Sequence, residues 1–319
     1  MGRYMRKRLV QSIPTVFGIT ILTYFIMKLA PGGPLANMIS PRMSPEALMR
    51  AKEAMGLNKP IIIQYWNWLM ELLKGNFGFS STSGQPVLQM IIDRLPATLL
   101  LTVTAFVLSF IVGVPLGVYS ATHKYTPGDY GLTIFSFLGI SIPAFFFGMG
   151  LIYVFAIQLK WLPTSGLATT VFSGGGMALF WDRVKHLIMP ALVMSLANLA
   201  TVMRFTRSSM VETLNQDYIR TARAKGLSEK AVIYGHALKN SMIPVITIFG
   251  LSIPNLFGGA YITEKVFNWP GMGLLGVEAI GNRDYAVLMG LTVFTALLVL
   301  LGNLVADLLY SLVDPRIRY

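Results

Sequence analysis

Side chains able to do covalent or metal chemistry are scarce in this 319-residue chain. It has no cysteine, which removes disulfides, thiolate nucleophiles, haem attachment and thiolate-held zinc or iron–sulfur centres. Its three histidines, His123, His186 and His236, stand far apart without metal-ligand spacing, so no metal site is expected. No G-x-x-x-x-G-K-[S/T] stretch occurs, so the chain cannot cradle a nucleotide in the manner of a phosphate loop. Asp307 has no acidic mate at membrane depth and Lys28 no evident serine partner, which leaves an intramembrane protease without support. No catalytic residue is assigned. Two groups of polar residues remain. One is the run Asp217-Tyr218-Ile219-Arg220-Thr221-Ala222-Arg223-Ala224-Lys225-Gly226 with His236 and Leu238 beyond it; the other is Asn303 and Asp307, one helical turn apart in an apolar stretch.

The elements that must hold these groups are membrane helices. Hydrophobic residues make up 54% of the chain and charged ones 13%, about half the share of an average soluble domain. Spanning a bilayer of about 30 Å takes about 20 apolar residues in a helix. Six stretches meet that test: Leu9–Leu29, Leu95–Ala121, Gly131–Leu159, Leu187–Phe205, Met242–Thr263 and Tyr285–Val313. Prolines within them (Pro14, Pro115, Pro143, Pro190, Pro254) are tolerated where neighbours or water satisfy the freed backbone groups. The fold class expected is an all-α membrane protein of six transmembrane helices. Its organisation is a tail and first helix (1–29), a long external loop (30–94), a core (95–313) and a tail (314–319).

Lys and Arg set the orientation. With the N-terminus inside, the inside segments hold 14 basic residues in 62 positions and the outside segments 11 in 113. That asymmetry places both termini in the cytoplasm of a multi-pass cell-membrane protein, and it accounts for the net charge of +12 without nucleic acid. The apolar run after MGRYMRKR is longer than a secretory signal core and lacks a small-residue cleavage site, so it reads as a retained anchor.

Outside, Ser44-Pro45-Glu46 opens a polar helix to about Met55 that Gly56 ends. A second segment, Ile61–Leu73, carries Tyr65, Trp66 and Trp68. It reads either as an interfacial helix with aromatics at headgroup level or as a docking surface for an external partner. Inside, Val211–Lys225 reads as a helix with Met210, Leu214, Tyr218 and Ala222 on one face, and Gly226 as its C-cap with Arg220, Arg223 and Lys225 in the last turn. Ser228 caps a second short helix, Glu229 to about Asn240. Two capped helices around a glycine favour a partner-binding element over a solvated loop. In the last stretch, Asp307 is either a pathway residue or a hydrogen-bonded group at a helix end. Asn198 and Asn255 read as helix-joining groups, and Gly113-Val114-Pro115-Leu116-Gly117 as a helix-packing motif.

The run from Asp217 to Leu227 resembles the cytoplasmic coupling motif of ABC importer permeases, whose general form is Glu-Ala-Ala, three residues, Gly, nine residues, Ile-x-Leu-Pro. With Gly226 on its glycine, Ala222, Gly226 and Leu238 match, while Arg220, Thr221, His236 and Lys239 depart. The dipeptide/oligopeptide/nickel branch resembles the sequence better, through Tyr-Ile-Arg-Thr-Ala-Arg-Ala-Lys-Gly and the following His-Ala-Leu. Similar in order and spacing are Ile13-Pro14-Thr15-Val16-Phe17-Gly18, Ala30-Pro31-Gly32, Gly75-Asn76-Phe77-Gly78, Leu95-Pro96-Ala97-Thr98, Trp269-Pro270-Gly271-Met272-Gly273 and Asp314-Pro315-Arg316.

The resemblance implies the six-span, first member of a permease pair in a type I ABC importer, a transport subunit and not an enzyme. Its implied partners are a second homologous permease, cytoplasmic ABC ATPase subunits that hold ATP and Mg²⁺, an external substrate-binding protein and the lipid bilayer. This chain itself is expected to bind no cofactor. Peptides are the expected substrate, with a nickel-type permease of the same family or an ion-coupled secondary transporter as alternatives.

Overall fold

A computed structural model describes residues 2–30, 46, 49, 50, 53, 56–169, 175–257 and 260–313. The polar helix expected after Ser44 falls largely outside the described residues, as do Pro31–Gly32 and the terminal Asp314-Pro315-Arg316. A chain this apolar must satisfy its backbone groups within each element, which favours helices. Among the described residues the only extended pairing is one bridge between Phe79 and Pro86.

The helices are α1 (Gly2–Leu29), α2 (Ile61–Leu73), α3 (Val87–Thr122), α4 (Pro127–Ser141), α5 (Ala144–Leu151), α6 (Gly176–Leu214), α7 (Asp217–Ala224), α8 (Leu238–Ser252), α9 (Tyr261–Val266), α10 (Met272–Gly281) and α11 (Tyr285–Val313). Proline and cap residues set several starts. Pro60, Pro86 and Pro143 precede α2, α3 and α5 in extended conformation, and Thr126 caps α4 ahead of Pro127 by accepting the Asp129 N–H at 3.4 Å.

Among the described residues, four helices are long and apolar enough to cross a membrane: the Val10–Leu29 part of α1, α3, α6 and the Tyr285–Asp307 part of α11. The expected third span, Gly131–Leu159, is broken. α4 and the α5 segment that continues to Gln158 meet at 105°. Pro143 lacks the N–H that would bond Gly139, and it holds Ile142 extended at φ −76°, ψ 124°. The expected fifth span, Met242–Thr263, is also shorter than the sequence suggests. Pro254 ends α8 in a 3₁₀ turn over Ile253–Leu256, and a separate helix starts at Tyr261. Among the described residues, the six continuous spans expected are therefore four continuous ones, or five if the bent pair is counted. Conversely, the expected fourth span, Leu187–Phe205, is the middle of the 39-residue α6, roughly 58 Å long at 1.5 Å per residue.

α3 and α6 form the most extensive helix pair. The expected packing motif makes it possible. A Cβ on Gly117 would lie 2.6 Å from Thr206 Cβ and 2.7 Å from the Met203 carbonyl oxygen, and one on Gly113 3.0 Å from Val202 Cγ1. α1 packs along α11, and α2 lies against α1 through Tyr65 and Leu69, which are buried with Tyr24. The Tyr65 hydroxyl pairs with Thr20 Oγ1 at 2.9 Å, while Trp66 stays exposed.

Candidate functional site

α7 is a two-sided helix. Ile219 and Ala222 are buried among Val118 and Ala121 of α3, Met210 of α6, and Val232 and Ala237, with Leu238 partly buried beside them. Asp217, Tyr218, Arg220, Thr221, Arg223, Ala224, Lys225, Gly226 and His236 are exposed. The apolar side thus anchors α7 to two long helices, and the polar side is exposed. Arg220 pairs with Asp217 at 3.4 Å and Arg223 with Glu229 at 2.8 Å.

Two expectations need correction here. The single helix over Val211–Lys225 is split, because Gln216 is extended at ψ 149° and starts a new helix. Met210 and Ala222 are buried as expected, but Ile219 takes the place expected for Tyr218, which is exposed. The second correction concerns the helix expected to stop near Asn240. Ser228 does cap it, accepting the Ala231 N–H at 3.4 Å. The chain then runs through a π-helical stretch, Ala231–Ala237, straight into α8. The loop after α7 is therefore continuous, through that stretch, with the 15-residue α8.

The C-terminus of α7 matches its sequence. Gly226 has φ +78°, its N–H bonds the Arg223 carbonyl at 2.9 Å, and the Leu227 N–H bonds that of Ala222 at 3.4 Å. This is a Schellman closure, which needs a left-handed residue at Gly226.

Sequence reasoning missed a polar knot beside this cluster. Asp129, in the first turn of α4, is 2% exposed. Its Oδ1 accepts Arg207 Nε at 2.8 Å and the Ser120 hydroxyl, and its Oδ2 accepts Arg207 Nη2 at 2.8 Å and the Tyr125 N–H at 3.1 Å. One carboxylate so joins α3, α4 and α6. The carboxylate is buried while the Arg207 side chain is 32% exposed, so the pair reaches from the protein interior to its surface. The available signal was Thr126-Pro127-x-Asp129, a helix start with an acid in its first turn.

A second missed knot lies near the start of α3, about 30 Å from Val118 along that helix at 1.5 Å per residue. Glu264 is fully buried. It accepts the Thr98 hydroxyl at 2.9 Å and the Leu274 N–H at 2.9 Å, while Trp269 Nε1 donates to the Ala97 carbonyl at 2.8 Å. The Trp269–Gly273 motif is thereby fastened to α3.

Of the possible intramembrane site, Asp307 pairs with Arg8 Nε at 3.2 Å across α1 and α11, while Asn303 is exposed. Asn303 and Asp307 line one small cavity between α1 and α11, with Arg8. Asn198 is exposed on α6. Ser141 and Pro143, at the break between α4 and α5, are exposed too. Irregular backbone cannot face lipid, so in a membrane this break faces water or protein.

Residues 113–319 match the family model "Binding-protein-dependent transport system inner membrane component", and residues 1–102 match that of its N-terminal region. The chain is 47% identical to the oligopeptide transport system permease protein AppB of Bacillus subtilis (strain 168), over the full length of both. It is 39% identical to the dipeptide transport system permease protein DppB of Alkalihalophilus pseudofirmus, again over the full length of both. Among solved structures, the MetNI methionine ABC transporter in inward-facing conformations aligns with a TM-score of 0.56 at 16% identity, over 71% of this chain and 97% of that one. That likeness concerns the fold.

Proposed function

The chain belongs to the binding-protein-dependent transport system inner membrane component family, and we propose that it is the membrane permease subunit of an ATP-driven importer of peptides. The observation that carries this reading is α7, with Ile219 and Ala222 sunk into the ends of α3 and α6 and its polar face left open. Such a helix can pass a rigid-body motion from a partner to the long helices it is anchored in. The partner is a cytoplasmic ATPase subunit, which holds the ATP and Mg²⁺. In this reading both termini are cytoplasmic, a second homologous permease supplies the other half of the pathway, and an external binding protein delivers the substrate. The exposed break between Ser141 and Ala144 faces that pathway or the second permease. Peptides are favoured by the full-length likeness to permeases named for oligopeptides and dipeptides.

Proteoliposomes carrying this permease, the second permease and the ATPases test the reading. Peptide uptake should require both internal ATP and the external binding protein. Uptake by this chain alone under an ion gradient would replace it with a secondary carrier.

A further inference from the structure

Asp129 sits where a transport subunit has to convert movement at α7 into movement of its broken span. α7 follows α6 after only Asn215 and Gln216, and Arg207 lies two turns before the end of α6. The next α4–α6 contacts along the pair are soft. Gly139 rests on Leu196, and the Ser136 hydroxyl reaches Met203 Sδ at 3.8 Å. Apolar and thioether contacts of this kind can slide, whereas a two-pronged guanidinium–carboxylate bond fixes both distance and direction. The same carboxylate holds Ser120 of α3 and the backbone of Tyr125, which adopts a left-handed φ of 62° unusual for an aromatic residue. The turn between α3 and α4 is thus pinned at its start, in its middle and at its far side.

We propose that Asp129 and Arg207 are positioning residues for transport: they lock the start of α4 to α6, so that displacement of α7 drives the bend at Ile142–Pro143. This inference rests on the reading of α7 as the ATPase-coupling helix. A pair that merely stabilised the fold would matter for assembly and not for how much peptide moves per ATP hydrolysed.

The test uses the complete transporter in proteoliposomes, with Asp129→Asn, Arg207→Met and Arg207→Lys variants of this chain. ATPase co-purification, ATP hydrolysis and peptide uptake are measured on each. Asp129→Asn and Arg207→Met should keep the ATPases bound and hydrolysing, while peptide imported per ATP falls by about fivefold or more, the low end of an ordinary coupling energy. Arg207→Lys, which keeps the charge but loses the fork, should recover part of that ratio. An unchanged ratio in the first two variants overturns the proposal. Joint loss of assembly and uptake in all three also overturns it, because the pair would then be a folding element. Ala222→Arg in α7 separates the two readings. If that variant transports normally, the coupling role of α7 fails; if it uncouples while Asp129→Asn does not, only the role of the pair fails.

Discussion

Thr98 donates its hydroxyl to Glu264 at 2.9 Å and accepts the Met272 N–H at 2.7 Å, so a single side chain on α3 closes the loop that follows α9. Glu264 completes the arrangement by taking the Leu274 N–H. A Cβ at Gly271 would collide with the Glu264 carboxylate, which explains the glycine in Trp269-Pro270-Gly271.

Replacing Glu264 by alanine leaves Thr98 and Leu274 as dry donors, at about 1–3 kcal/mol for each. Glu264→Gln restores one acceptor but sets an amide N–H₂ against a backbone N–H. We expect detergent melting temperatures in the order wild type, Glu264→Gln, Glu264→Ala, with ATPase association at α7 kept in both variants. Equal melting temperatures for all three proteins would remove the knot from the account of stability.

The crossing of α3 and α6 gives a second prediction. Gly117 has backbone and side chain within 3 Å of where a Cβ would stand, whereas nothing lies within 4 Å of that point at Gly131 on α4. Gly117→Val should therefore overpack the pair and destabilise by at least about 1–3 kcal/mol. Gly131→Ala, at an open position inside α4, should be neutral or stabilise by up to about 1 kcal/mol. Thermal unfolding of the two variants side by side checks the contrast.

Gly226 tests the local geometry at α7. No neighbour blocks a side chain there, so the constraint is the backbone alone, at φ +78°. Asparagine tolerates that region and should preserve uptake. Alanine should cost about 1–2 kcal/mol in the helix cap. Proline cannot adopt the angle and also removes the N–H that bonds Arg223. Gly226→Pro should abolish uptake and ATPase association while membrane insertion, followed by fractionation, stays normal. Wild-type uptake in Gly226→Pro would detach α7 from coupling.

Much of this was readable in the residues, and the failures share a cause. Hydropathy identifies α1, α3, α6 and α11 because length and apolarity are summed along the chain. The Gly113–Gly117 spacing and the Gly226 cap are local, so they were legible too. In the sequence Pro143 and Pro254 look like tolerated kinks, yet they break their helices, because the outcome depends on what neighbours offer the freed backbone. Asp129 and Glu264 escaped for a related reason. Their partners, Arg207 and Thr98, lie 78 and 166 residues away in sequence, and no periodicity signals such a pairing. The burial of Ile219 in place of Tyr218 came from the extended Gln216, a break that no Gly or Pro announced.

Asp307 is an acid in an apolar helix, and its ion pair with Arg8 offers it a role other than that of a pathway residue. The bond clasps α1 to α11, the Arg8 side chain is 47% exposed and that of Asp307 20%, so the pair is neither dry nor fully solvated. A partly exposed ion pair contributes about 1 kcal/mol or less. If clasping is its whole task, Asp307→Asn, which keeps size and can still accept from Arg8, should lower the melting temperature slightly and leave peptide uptake within about twofold of wild type, a change of under 1 kcal/mol. The effect on melting should shrink with added salt, since the pair is reachable by counterions. A pathway acid behaves differently: losing its charge would cut uptake severely while melting and its salt dependence stayed as in wild type. Uptake and melting measured on the same preparation at low and high salt therefore separate a clasp from a conduit.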